Sequence, residues 1–254
     1  MQKTVLRAVA VVLVLVLAGA GSAYALKLQV GNIVVVSDGN FSPTTLPKDR
    51  LAPIELHGYG KIETADGSLP PILEQLVFWF DKNGGVETRG LPVCPMRELV
   101  ATTPAGARRN CSDAIVGTGF GKAVVNFPEQ DEIPASSPLT IFNAPPLHGN
   151  PAVYVHAYTT VGGPAAIVIS VEIQKVDDGR YGFKTVANIP KIVNGYGTPI
   201  YGRLRIERKW SFEGRRLSYV NASCPDGRLQ AKVRSVFKDG TLLQGTFLKP
   251  CKGK

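Results

Sequence analysis

Along most of the chain apolar and polar residues alternate with a period of two in short runs. Leu76, Phe78 and Phe80 share one side of one run. Ile167, Ile169, Val171 and Ile173 share one side of another, with Ser170, Glu172 and Gln174 opposite. Val153, Val155 and Ala157 alternate with Tyr154, His156 and Tyr158. Period two places alternate side chains on opposite faces of a strand, so each run predicts a half-buried β-strand. Between the runs lie Asp38-Gly39, Asp66-Gly67, Asn83-Gly84, Asp178-Gly179, Asn194-Gly195, Asp226-Gly227 and Asp239-Gly240, pairs suited to the tight turns of antiparallel strands. Helical periodicity is not sustained; one short helix, Met96 to Val100, is expected inside residues 95–109. The fold class is all-β: an antiparallel β-sandwich with irregular Pro- and Gly-rich connections.

The last quarter carries the clearest pattern. Leu204, Ile206, Trp210 and Phe212 alternate with Arg203, Arg205, Glu207 and Lys209. Leu229, Ala231, Val233 and Phe237 alternate with Arg228, Gln230, Lys232 and Lys238. Residues 201–249 are therefore expected to form a four-strand antiparallel β-meander with turns near Gly214, Asp226-Gly227 and Asp239-Gly240. Residues 127–151 hold six prolines, which stop ladders, and are expected as an irregular connection with strand-like pieces, notably Leu139 to Phe142, within one domain spanning 26–254.

The N-terminus differs from everything after it. Lys3 and Arg7 precede an uninterrupted run of apolar and small residues, Ala8 to Gly21, followed by Ala23-Tyr24-Ala25. A positive start, a short apolar run and an A-x-A site are the signature of a signal peptide, 1–25, removed on export. The run is shorter than the ~20 residues a membrane-spanning helix needs. The expected location is secreted or at the cell envelope, with no membrane span after cleavage. Cys94, Cys111, Cys224 and Cys251 then lie in an oxidising compartment and read as two disulfides. Three connectivities are possible, and Cys94–Cys111 with Cys224–Cys251 closes the shortest loops.

Composition adds charge to this picture. The 254 residues carry a net charge of +9, with 44% hydrophobic residues, enough for a sizeable core and too much for a disordered chain. Residues 201–254 hold 13 Lys or Arg against 4 Asp or Glu, whereas residues 26–200 hold 14 against 16. The meander would gather Arg203, Arg205, Lys209, Arg228, Lys232 and Lys238 on one outer face, which suits an anionic cell-envelope polymer or membrane head groups and equally a solvated face whose charges block edge-to-edge pairing. Another secreted protein is a further candidate partner. No recognition motif accompanies the charge, which argues against nucleic acid. Tyr154, His156 and Tyr158 form an aromatic stripe that suits sugar stacking or partner contact, and equally suits packing under a second layer. Trp79 has the same two readings.

Catalytic signals are weak. His57, His148 and His156 lack the close spacing of metal ligands, and no G-x-S-x-G occurs, so no cofactor or metal is expected. Gly117-Thr118-Gly119-Phe120-Gly121 precedes a strand-like run, not a helix, and reads as a bend or bulge and not a phosphate loop. Asp81-Lys82-Asn83-Gly84-Gly85 lacks the distal glutamate of a calcium loop, so it reads as a hairpin turn.

Two stretches carry a resemblance. Arg208-Lys209-Trp210-Ser211-Phe212-Glu213-Gly214 runs on to Ala222-Ser223-Cys224-Pro225-Asp226-Gly227, and Phe237-Lys238-Asp239-Gly240-Thr241 on to Lys249-Pro250-Cys251. Upstream, Phe41-Ser42-Pro43, Leu46-Pro47-Lys48, Phe80-Asp81-Lys82-Asn83-Gly84 and Gly90-Leu91-Pro92-Val93-Cys94 fit the same pattern. The chain resembles uncharacterised secreted β-rich proteins of actinobacteria. The resemblance implies export and disulfides and supplies no activity. The expected function is that of a non-enzymatic binding or structural protein; the alternative is a secreted hydrolase or metal-dependent enzyme using the three histidines.

Overall fold

A computed structural model describes residues 25–254; the expected signal peptide therefore lies outside the described residues, apart from Ala25. Strands dominate and pair antiparallel. Twelve of them form one sheet: β1 (Leu26–Val30), β2 (Ile33–Ser42), β3 (Glu55–Thr64), β4 (Leu73–Asp81), β5 (Ile115–Val125), β6 (Ile133–Leu147), β7 (Asn150–Thr159), β8 (Ala165–Asp178), β9 (Tyr181–Asn188), β10 (Gly197–Ile206), β11 (Arg228–Phe237) and β12 (Leu242–Pro250). Their spatial order is β1-β2-β3-β10-β5-β6-β7-β8-β9-β4-β11-β12. The two edge strands meet. On β12, a Cβ added to Gly245 would lie 2.7 Å from Leu28 and 2.8 Å from Leu26 of β1.

The expected C-terminal meander is not present. β10 is inserted between β3 and β5, and β11 pairs with β4 and β12. Between them, residues 209–212 and 215–218 form a separate two-stranded hairpin, and 220–222 joins 52–53 and 84–86 in a small three-stranded sheet. The alternation located the strand at Arg228–Phe237 but ran through the break between Ile206 and Lys209, and alternation does not encode which strand lies next to which.

The proline-rich stretch is mostly strand: the expected strand-like piece Leu139 to Phe142 lies within β6, which extends from Ile133 to Leu147, and only residues 127–132 and 148–149 are connection. Pro134 and Pro138 pair with Val124 and Phe120 inside β6. The ladder from β6 to β7 ends at Thr140 and His156, so Pro138 leaves no amide unmatched there. The next amide, Tyr158 N, donates instead to Ser137 Oγ at 2.9 Å. Gly117 to Gly121 also falls within a strand, β5, and not before one. Asp81 to Gly85 turns the chain out of β4 into the small sheet and does not form a hairpin within the main sheet. Among the described residues α-helix is confined to α1 (Pro104–Asn110), flanked by 3₁₀ turns at Met96–Glu98 and Ser112–Ala114, and a further 3₁₀ turn lies at Val193–Gly195. Thr103 caps α1, its Oγ1 accepting from Gly106 N at 3.2 Å, and Pro104 occupies the first helical position.

The largest core cluster draws Val116, Ile141 and Val153 from the sheet onto Leu46, Ile54, Leu91, Tyr219 and Val220 from the connecting segments. Phe41, Leu56, Ile206 and Leu229, from four further strands, pack against it. The inner face of the sheet therefore packs on the small sheet. A second cluster holds α1 and its neighbours against the outer face of β6 and β7 through Phe142 and Tyr154. Both expected disulfides are present. Cys94–Cys111 closes the loop containing α1, and Cys224–Cys251 ties the small sheet to the end of β12.

Candidate binding face

Arg203 and Arg205 alternate with Ile206, which packs on the core, so they point to the outer face of β10. The register then builds a grid around them. Arg205 lies between His57 and Thr118, Arg203 between Tyr59 and Phe120, and Tyr201 between Lys61 and Lys122. Asn40 and Asp38 of β2 extend the first two rows. Cations and aromatics thus occupy neighbouring positions over three strands. The Arg203 guanidinium lies 5.8 Å from the Phe120 ring and Lys122 Nζ lies 6.0 Å from the Tyr201 ring, both within reach of cation–π attraction. Across these strands runs a groove of about 430 Å³, lined by side chains that include Asn40, His57, Tyr59, Thr118, Tyr201 and Arg203.

Glycine packs this face tightly from beneath. A Cβ on Gly117 would lie 2.3 Å from the Arg205 carbonyl, and one on Gly119 would lie 2.3 Å from that of Arg203. Glycine lets β10 settle against β5 and brings the arginines beside Thr118 and Phe120. The sequence reading missed Tyr59, Lys61, Phe120, Lys122 and Tyr201. Their signal was a repeated spacing: His57-Gly-Tyr59-Gly-Lys61 and Thr118-Gly-Phe120-Gly-Lys122 share one pattern, and Tyr201-Gly-Arg203 runs between them.

The charges on the grid are unequally used. Arg205 donates to Glu55 at 2.8 Å and lies 2.5 Å from Glu207. His57 Nε2 is 3.9 Å from the same Glu55 oxygen. Lys61 pairs with Glu63, whose carboxyl it holds below the ordinary glutamate value, and Asp38 is taken by Lys249. Among the described residues Arg203 has no carboxylate partner. Lys122 has none either among the described residues, and Arg203 is the one of the two that stands at the centre of the grid.

The remaining candidates do not join this face. β11, seven places from β10 in the sheet, carries Arg228 and Lys232, and Lys238 follows it; Lys209 lies on the separate hairpin. Lys232 Nζ sits 4.3 Å from the Trp79 ring and 4.7 Å from the Tyr181 ring, with Asp178 at 3.4 Å. Trp79 is covered by that stack. The aromatic stripe is likewise packing surface: Tyr154 and His156 are buried and only Tyr158 is half-buried. The segment bearing α1 lies over them, and His156 Nε2 bonds the Thr102 carbonyl at 3.1 Å while Nδ1 has no partner.

The histidines have three different surroundings. His57 meets Glu55, His148 lies 3.5 Å from Glu172, and His156 is enclosed under the disulfide loop. No group of three His, Cys, Asp or Glu side chains suited to a metal ion occurs among the described residues. A broader depression of about 760 Å³ lies between residues 126–131 and Tyr196, and its polar lining residues, Asn126, Glu129, Gln130 and Asp131, all come from one loop. No family model, curated protein or solved structure matches the chain.

Proposed function

We propose that this is an exported, non-enzymatic protein of the cell envelope that binds an anionic sugar-based polymer on the outer face of β3, β10 and β5. The observation that carries this reading is Arg203, an exposed guanidinium set between Tyr59 and Phe120 with no carboxylate partner among the described residues. Aromatic side chains offer stiff area for sugar rings, and an unpaired arginine offers a planar fork for carboxylate or phosphate. The two disulfides are compatible with an extracellular setting, in keeping with the resemblance to secreted actinobacterial proteins. We also infer that the sheet is rolled into a nearly closed barrel and not stacked as a sandwich. The meeting of β1 with β12 and the ring of strands around one core cluster support this.

Retention on an immobilised anionic polysaccharide at low salt tests the binding reading. Arg203→Glu should weaken retention by at least about tenfold, whereas Lys238→Glu, remote from the grid, should leave it unchanged. Equal retention of Arg203→Glu and the unaltered protein would remove this face from consideration.

A further inference from the structure

The sheet has two ends of opposite electrical character. At one end finish β2, β4, β6, β8, β10 and β12, and the chain there runs through residues 43–54, 82–114, 148–149, 179–180, 207–227 and 251–254. These segments hold fourteen Lys or Arg against seven Asp or Glu. The opposite end, residues 31–32, 65–72, 126–132, 160–164, 189–196 and 238–241, holds two against five. Self-pairing sharpens the contrast, because at the basic end Glu87 is held by Arg89, Glu98 by Arg97 and Asp226 by Arg180. Arg108, Arg109, Lys209, Arg215, Arg216 and Lys252 are exposed there and have no carboxylate partner among the described residues.

The same segments also carry exposed apolar side chains. Leu51 and Val100 are each 52% exposed and Val93 is 45% exposed, all in the basic-end segments. Aliphatic groups among cations gain little from a hydrated polymer. Against a bilayer they reach the boundary between headgroups and acyl chains while the cations meet anionic headgroups.

We propose that the basic end docks on an anionic lipid surface, with Leu51, Val93 and Val100 entering the headgroup layer. This inference is independent of the grid on β3, β10 and β5. Protein purified after export, its N-terminus read by mass spectrometry, would be sedimented with vesicles. One set is phosphatidylcholine alone; the other contains about one-third phosphatidylglycerol. Binding should require phosphatidylglycerol and weaken as salt rises. Arg215→Gln with Arg216→Gln should lower partitioning about 25-fold, and Arg108→Gln with Arg109→Gln by a similar factor, with melting unchanged. Val100→Ser should lower it several-fold while leaving polysaccharide retention intact, and Arg203→Glu should leave vesicle binding intact. Undiminished partitioning of both double variants would overturn the proposal. So would equal binding to phosphatidylcholine alone, or retention on polysaccharide without binding to any vesicle.

Discussion

β10 and β11 carry nearly the same alternation of basic and apolar residues, and the structure uses them in opposite ways. On β10 Arg205 is paired with Glu55 and Glu207, while Arg203 stands between Tyr59 and Phe120 with no carboxylate partner among the described residues. On β11 Lys232 lies between Trp79 and Tyr181 and Arg234 lies 5.3 Å from the Trp79 ring, so cations and rings cover one another. The outer face of β6 and β7 is covered in a third way, by a disulfide-closed loop. Alternation marks an outward position; its neighbours across the sheet decide whether the side chain meets a partner or its own protein.

The sharpest test of this contrast removes one aromatic from each side. Trp79→Ala should destabilise by about 3–5 kcal/mol in denaturant unfolding, because the ring is buried beneath two cations. Tyr59→Ala should stay within about 0.5 kcal/mol while losing polymer retention. Similar losses of stability in the two variants would erase the distinction between a covered and an open face. A somewhat smaller effect is expected from Cys94→Ser with Cys111→Ser, about 3 kcal/mol, since the cross-link closes a separation of 17 residues over Tyr154 and His156. Full stability in that double variant would mean the loop is held by packing alone.

The smallest effect concerns His156. Burial holds its pKa below the ordinary imidazole value of 6.5, and the nearby positive charge of Arg108 acts the same way. The Thr102 and Leu99 carbonyls oppose them. The cross-strand neighbours Thr140 and Val168 do not titrate. The folded state then binds fewer protons than the unfolded state, so stability is complete above about pH 6.5 and declines as the pH falls toward the lowered value. Unfolding curves measured across that window should show the slope in the native chain and lose it in His156→Gln. A slope that persists in the variant would assign it to another group.

Much of the local structure was legible in the sequence, because period two and short cysteine separations are local signals. The strands from Leu76 to Phe80 and from Ile167 to Ile173 and both cysteine pairs could be read this way. Their arrangement could not. The meander assumed that consecutive strands are neighbours, whereas β10 pairs with strands that precede it by more than seventy residues at the centre of each register. The prolines of β6 misled for a related reason: a proline excludes a strand only where its amide is needed, and Pro138 stands where the partner ladder has ended. The grid was half visible. Its arginines stood out by charge, while its aromatics were hidden in glycine-spaced runs that carry no hydrophobic pattern.

The seam between β1 and β12 gives the fold a mechanical weak point. No ladder joins these strands; side chains and the small Gly245 bring them together. The C-terminus is clamped beyond β12 by Cys251–Cys224 and by pairing of Lys252 and Gly253 with Thr45 and Leu46. Tension applied between the two ends of the described chain therefore bypasses β12 and falls on β1, whose five residues are held by a single ladder to β2. Under load β1 peels first, rung by rung, and acts as a fuse that yields before the strands carrying the proposed binding face.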